Sequence, residues 1–285
     1  MKRQDFRFFH RLRVRWAEVD MQKIVFNAHY LTYFDVGISE YWRALALPYE
    51  DAMHQLAGEL YLKKASVEFN ASARMDDTLD VAMSCSRIGN SSMTMTGAIF
   101  RGDEHLITAE LIYVFADPAT QTSKPVPEPL RVALQAYEAG EPMVSVRTGA
   151  WSELGEDAQQ VRTAVFIEEQ GIAREDEWDA ADRTCLHAVA YNRLGQPVAT
   201  GRLLQAEPGV GKVGRMAVHR VLRGTGVGRD IINALTVAAR ERGDHAIRLS
   251  AQRTAEGFYR RLGYQAVGET YEDVGIPHVD MEIRL

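Results

Sequence analysis

The sequence predicts an α+β chain of two domains. The first is an antiparallel sheet wrapped around one long helix; the second is a mixed α/β domain with a βαβ unit at its centre. Three observations lead there. The 285 residues fit two domains of about 100–200 residues better than one. A proline-rich stretch, Asp117-Pro118 and then Pro125, Pro127 and Pro129, cannot pair as a central strand. The order of elements also changes across it, from one helix followed by consecutive strands to alternating strands and helices. A short helical pattern, Leu130, Leu134 and Tyr137, follows the prolines and is closed by Ala139-Gly140-Glu141-Pro142. The break is placed at about 140, giving domains 1–140 and 141–285.

Composition narrows the function. Hydrophobic residues at 46% supply enough apolar material for two cores, which excludes a disordered chain. A net charge of −6 argues against nucleic acid, which needs a basic surface. No apolar run approaches the ~18–20 residues of a membrane span, and the N-terminal MKRQDFRFFHRLRV lacks the apolar core of a signal peptide. Cys85 and Cys185 form neither a zinc pattern nor a disulfide framework. The expectation is a cytoplasmic protein without metal and without a membrane partner. There is no internal repeat or heptad run.

In the first half, Leu12, Val14 and Trp16 alternate with Arg11, Arg13 and Arg15, a strand over 7–17 with one buried face. Residues 28–46 switch period: Leu31, Phe34, Ile38, Trp42 and Leu45 form one helical stripe, widened by Tyr30, Tyr33 and Tyr41. Strands are expected at about 60–70, 79–88, 92–101 and 105–116, with Gly89-Asn90 and Gly102-Asp103 as turns. In the second half, strands are expected at 144–147, 187–191, 198–204, 212–218 and 247–251, with further strands in the tail. Helices are expected at 157–169, 226–242 and 255–262.

Two segments carry chemistry. In the first, Asp20 ends a strand and a helix opens about seven residues later. The unpaired N–H groups of a helix start favour negative charge, so a thioester carbonyl held there would have its oxyanion stabilised. Asp20 is placed to attack it or to activate water. Asn27 fits an N-cap. This segment, Asp20, Ile24-Val25-Phe26, Asn27 and Tyr30-Leu31, resembles the hotdog-fold acyl-CoA thioesterases related to 4-hydroxybenzoyl-CoA thioesterase. The resemblance extends over most of 7–135, through Val67-Glu68-Phe69, Asp76-Asp77, Arg87-Ile88-Gly89-Asn90-Ser91-Ser92 and Val114-Phe115-Ala116-Asp117. It implies a hotdog fold, Asp20 as the catalytic carboxylate, and a homodimer or tetramer whose interface completes the site. Many members have Gly at Lys23 and His at Asn27; Asn27 can donate to a carbonyl but cannot shuttle a proton. His29, two positions on, faces another side of the helix.

In the second, Arg223-Gly224-Thr225-Gly226-Val227-Gly228 follows the strand ending Gly214-Arg215-Met216-Ala217-Val218-His219 and opens a helix. Alternate glycines turn backbone N–H groups outward, and the helix start adds positive potential: a pyrophosphate cradle. It is neither a Walker loop nor a dinucleotide fingerprint. The spacing resembles the Arg/Gln-x-x-Gly-x-Gly/Ala loop of the GNAT acetyltransferases, a likeness covering about 145–285. Val165-Phe166-Ile167-Glu168-Glu169-Gln170, Asp176-Glu177-Trp178-Asp179, Gly201-Arg202-Leu203, Gly257-Phe258-Tyr259 and Gly275-Ile276-Pro277-His278 also match, most closely the small bacterial branch. The resemblance implies that acetyl-CoA is held by Met216, Ala217 and Val218 and by Arg223 through Arg229. Tyr259 would be the general acid to the departing thiolate, a job suited to a phenol of pKa about 10. Glu168, Glu169, His187 and His278 are candidates for the amine pocket, and Cys185 reads as buried and inert. Both halves thus point to coenzyme A thioesters. The expectation is a bifunctional enzyme, an acyl-CoA thioesterase fused to an N-acetyltransferase of a small amine. The alternative is one catalytic domain beside an acyl-CoA-binding sensor or dimerisation module.

Overall fold

A computed structural model describes residues 1–273 and 275–285 and separates them into two units, Met1–Met143 and Val144–Leu285. The first unit holds β1 (Phe8–Arg13), α1 (Asn27–Ala44), α2 (Tyr49–Leu56), β2 (Glu59–Phe69), β3 (Thr78–Ile88), β4 (Ser92–Arg101), β5 (Glu104–Ala116) and α3 (Glu128–Ala139). Its sheet is antiparallel, in the order β1-β3-β4-β5-β2. The expected sheet with a long helix against it is present. Two glycines let helix and sheet approach closely: a Cβ at Gly37 of α1 would stand 2.9 Å from Val81, and one at Gly97 of β4 would stand 2.5 Å from the Phe34 ring.

Three expectations for this unit need correction. The buried face of α1 is Tyr30, Tyr33, Phe34, Gly37, Tyr41 and Trp42, so the tyrosines form the centre of the stripe and Leu31 is exposed. The first strand stops at Arg13, because a 3₁₀ turn, Trp16–Glu18, follows; Trp16 points outward at 79% exposure. Asn27 is the first residue of α1, and Phe26 is its N-cap. Helix α2 was not foreseen: eight residues with Ala52 and Met53 buried give too short a periodic signal.

Helix α3 is fastened to the sheet by side chains. Glu138 accepts hydrogen bonds from the Tyr41 hydroxyl (2.6 Å) and the Cys85 N–H (2.7 Å). Arg131 donates to the carbonyls of Ile88 (3.1 Å) and Gly89 (2.8 Å).

The second unit holds β6 (Val144–Gly149), α4 (Trp151–Arg162), a π-helical turn (Thr163–Glu169), α5 (Arg174–Glu177), β7 (Leu186–Asn192), β8 (Pro197–Glu207), β9 (Val210–Val218), α6 (Val227–Arg242), β10 (Ala246–Gln252), α7 (Glu256–Arg261), β11 (Gln265–Asp273) and β12 (Ile276–Arg284). The sheet order is β11-β12-β10-β9-β8-β7-β6. Among the described residues only β9 and β10 pair parallel, and α6 crosses between them; this is the expected βαβ unit. Helix α4 starts at Trp151 rather than near residue 157. Gly155 weakens the helical signal there, but the Trp151 ring covers it, 2.8 Å from where a Cβ would stand. Among the described residues, no helix is long and apolar enough to cross a membrane.

Candidate active sites

In the first unit Asp20 sits on a tight turn. Val19 bridges to Val25, the Asp20 N–H donates to the Ile24 carbonyl (2.9 Å), and the Lys23 N–H donates to the Asp20 carbonyl (3.0 Å). The Asp20 carboxylate accepts from the Gln22 N–H (2.7 Å) and is half-buried. Lys23 has φ 62°, a left-handed position that glycine fills without strain. That accounts for glycine at this point in relatives of the resembled family. The turn leads into the start of α1, where Asn27 is exposed. Trp16, Met21 and Phe26 are exposed nearby in the chain.

A residue that sequence reasoning missed holds this turn. Glu18 is buried, accepts from the Arg15 N–H (2.7 Å) and guanidinium Nε (2.7 Å) and from the Tyr33 hydroxyl (2.7 Å). Its carbonyl accepts the Phe26 N–H (2.9 Å). Burial pushes the Glu18 carboxyl up, but the hydrogen bonds from Arg15 and Tyr33 outweigh it and keep it below its ordinary pKa. The sequence signal was its place two residues before Asp20.

In the second unit the site is a parting between strands. Pairing of β9 with β10 ends at Val213↔Leu249, although β9 runs to Val218 and β10 to Gln252. The cause lies on the other edge of β9. There Thr200 pairs with Ala217 and Arg202 with Gly214, so Arg215 and Met216 stand opposite Gly201 alone, a β-bulge. Arg215 takes φ 51°, left-handed for a non-glycine residue.

The bulge sets what each residue of β9 offers. Ala217 is buried with Val161, Val165 and Phe166. The Met216 side chain covers Gly201, its sulfur 2.4 Å from where a Cβ would stand. The His219 N–H donates to the Val198 carbonyl (2.9 Å), which makes Ala199↔Val218 a pair whose own N–H and C=O groups point away from each other's strand. The Val218 backbone therefore faces the opened side, where its carbonyl accepts from Arg223 Nε (3.2 Å).

The glycine loop follows. Gly224 (φ 87°) and Gly226 (φ 104°) are both left-handed, and Gly226 is the N-cap of α6. The Thr225 hydroxyl donates to the Leu222 carbonyl (2.7 Å) and shapes the turn. Gly228 lies close to Val218, 3.3 Å from a would-be Cβ. The first N–H groups of α6 lack helical acceptors by geometry. The Arg229 guanidinium folds over Gly226, 3.2 Å from a would-be Cβ. Arg223 is differently occupied: its two terminal nitrogens fork onto the Glu169 carboxylate at 2.6 Å each, and hold that carboxyl below its ordinary pKa.

Tyr259 lies on α7, 7% exposed, edge-on to Phe258 and Tyr264. Burial pushes its pKa above the ordinary phenol value, and the neighbouring Tyr264 adds to the shift. It stays protonated at neutral pH.

The amine-pocket candidates separate. Glu168 is exposed, while Glu169 is the partner of Arg223. His278 Nδ1 donates to the Ile276 carbonyl (2.7 Å). His187 is buried, with Nε2 donating to the Asp182 carbonyl (2.8 Å) and its ring against Trp151. It belongs to the core and not to a pocket lining. Cys185 is half-buried rather than buried, its sulfur 3.2 Å from the same His187 nitrogen, and burial raises its pKa. Asp182, Cys185 and His187 bring potential metal-ligating atoms within 4.8 Å. The Asp182 carboxylate is already taken by Arg162 (2.8 Å) and Arg202 (2.7 Å).

Comparison with known proteins adds two matches. Residues 14–134 match the model of a thioesterase-like superfamily, and residues 156–285 that of the GNAT acetyltransferase domain. The uncharacterized N-acetyltransferase YjcF of Bacillus subtilis is 38% identical over 126 residues, 44% of this chain and 89% of that protein. A solved acyl-CoA N-acyltransferase from Pseudomonas aeruginosa is 31% identical and covers 49% of this chain and 98% of its own, with a TM-score of 0.44. A 1,4-dihydroxy-2-naphthoyl-CoA thioesterase from Synechocystis is 19% identical and covers 45% of this chain and 95% of its own, with a TM-score of 0.42.

Proposed function

Because the chain belongs to the GNAT acetyltransferases through its second unit and carries a thioesterase-like domain in its first, we propose that it is a bifunctional coenzyme A-thioester enzyme. The second unit transfers an acetyl group from acetyl-CoA to a small amine, and the first hydrolyses acyl-CoA. The observation that carries this reading is the parting of β9 from β10 beside the glycine loop. It leaves strand backbone and helix-start N–H groups facing one opening at the carboxyl ends of parallel strands.

In the second unit, the Met216 and Val218 backbone binds the pantetheine arm. The N–H groups of Gly226, Val227 and Gly228, with Arg229, bind the pyrophosphate. Arg223, occupied by Glu169, braces the loop. The neutral amine attacks the thioester carbonyl to form the C–N bond, the C–S bond breaks, and the Tyr259 hydroxyl gives its proton to the leaving thiolate. The surplus proton of the amine nitrogen returns the phenolate to its neutral form. In the first unit, Asp20 attacks the thioester or activates water, and the start of α1 stabilises the oxyanion. A homodimer or tetramer through the first unit completes that site, and the protein works in the cytoplasm.

A second reading is favoured by Asn27, which is exposed and cannot carry a proton. There the first unit only binds acyl-CoA or dimerises. Thiol release from a panel of acyl-CoAs, with and without amines, separates the readings. Chain-selective release without amine supports hydrolysis; silence across the panel removes it. Release that never responds to any amine removes the transferase.

A further inference from the structure

Resting on the reading of the second unit as a coenzyme A site, we propose that Glu177 and Asp179 are positioning residues for coenzyme A: through Arg215 they hold the β9 bulge in the conformation that keeps β9 apart from β10. Both belong to the Asp176-Glu177-Trp178-Asp179 segment, and neither touches the glycine loop.

The geometry is direct. Arg215 is the left-handed residue of the bulge, and its side chain reaches the 176–179 segment at several points. Its Nε donates to the Glu177 carbonyl (3.1 Å) and lies 3.5 Å from the Glu177 carboxylate. Its Nη2 donates to Asp179 (3.3 Å) and lies 3.5 Å from the Asp176 carbonyl. The segment is itself anchored. Glu177 is buried and takes the Nε of Arg162, which is 1% exposed and lies over the Trp178 ring at 4.5 Å. Asp179 takes both terminal nitrogens of Arg202 (2.8 and 2.6 Å), and Asp182 joins Arg202 to Arg162. Arg202 pairs with Gly214 across the bulge, so the network grips both strands that form it.

The network's chemistry favours a geometric role over a purely stabilising one. Buried ion pairs give less stability than apolar packing of the same volume; their best-attested use is to fix one arrangement. The arrangement fixed here is a strained one, and strained backbone persists only where its surroundings over-determine it. Without the anchors, Arg215 can relax toward a regular strand, and β9 can close onto β10.

The test is titration calorimetry of the full-length protein with coenzyme A. R215A keeps a side chain that is strained at this φ but loses the anchors; R215G loses the anchors and the strain together. R215A is expected to weaken binding about tenfold, and R215G to restore most of that loss. E177Q is expected to weaken binding in the wild-type background and to do so by clearly less in the R215G background, where only its pairing with Arg162 is left to lose. An equal loss in both backgrounds overturns a role through Arg215. R215A failing to fold beside a folded, binding R215G supports the same conclusion. Wild-type affinity in R215A overturns the proposal, as does R215G binding as weakly as R215A. Failure of the wild type itself to bind coenzyme A sinks the transferase reading, and this proposal with it.

Discussion

The two candidate sites are built in opposite ways. In the first unit, the candidate carboxylate, Asp20, sits on a turn held by two backbone hydrogen bonds and by the Gln22 N–H donated to the carboxylate, and the helix start beside it is exposed. In the second, the β9 backbone beyond Val213 faces an opening between two strands of one sheet, and a buried network of Arg162, Arg202, Glu177 and Asp182 stands behind the bulge beside it. A turn can present a carboxylate with little scaffolding, but it cannot exclude water by itself; a second surface has to do that. A strand parting encloses its ligand alone but needs strain to stay open. The proposed dimer serves the first unit, and the ion network serves the second.

The comparison breaks most sharply at the two side chains proposed to react, Tyr259 and Asp20. Tyr259→Phe should lower amine-dependent thiol release by ~10²–10⁴-fold and leave amine-free hydrolysis intact. Asp20→Asn should do the reverse with a loss of similar size. Either variant losing both reactions would show that the two sites do not work separately.

Scaffolding comes next. Arg162→Met should destabilise the second unit by about 3–5 kcal/mol, because Glu177 and Asp182 then stay buried and uncompensated. Glu18→Gln should cost the first unit about 1–3 kcal/mol, since Tyr33 and the backbone can still bond to the amide. Thermal unfolding followed at each unit would rank the two; equal costs would remove the contrast.

A smaller effect appears in acid. Arg202 hydrogen-bonds Asp179 and holds its pKa down at about 2, against an ordinary 3.8. Asp182 is also lowered, because Arg162 and Arg202 outweigh the opposing effect of burial. A depressed carboxylate contributes stability above its unfolded pKa and loses it as pH falls through the folded one. The second unit should therefore melt at progressively lower temperature as pH falls from about 4 to about 2. Asp179→Asn should flatten that decline; an unchanged slope would remove Asp179 from it. The smallest effect is expected from Lys23→Gly. Relief of the left-handed strain and the added freedom of glycine in the unfolded chain offset to within about 1 kcal/mol. A large loss of hydrolysis on this change would mean that the Lys23 side chain takes part.

What the sequence disclosed follows from range. The strands β3, β4 and β5 alternate or run apolar, and the two turns that join them carry Gly89 and Gly102, so both were legible locally. The glycine loop was legible because a phosphate cradle is one continuous segment. The stripe of α1 is expected to centre on Leu31, Phe34, Ile38, Trp42 and Leu45 with the tyrosines widening it; the tyrosines take its centre because Tyr33 reaches Glu18 and Tyr41 reaches Glu138 from within the core. Trp16 was misread because an alternating pattern does not show where a strand stops. The ion network was invisible: Arg162, Arg202 and Arg215 meet carboxylates on a distant loop, and no spacing announces such a meeting. Asp20 could be singled out by its neighbours in sequence, whereas Glu18 stood out only by its place two residues earlier, and its bonds to Arg15 and Tyr33 only by the fold.

Helix α3 carries a practical lesson for dividing the gene. It lies past the proline-rich stretch, yet Glu138 near its end accepts hydrogen bonds from the Cys85 amide of β3 and the Tyr41 hydroxyl of α1. A shortened gene that stops at the prolines would express a first unit with those two donors bare. The cut has to fall beyond Gly140, where the helix closes with φ 86° and its carbonyl accepts from Arg7.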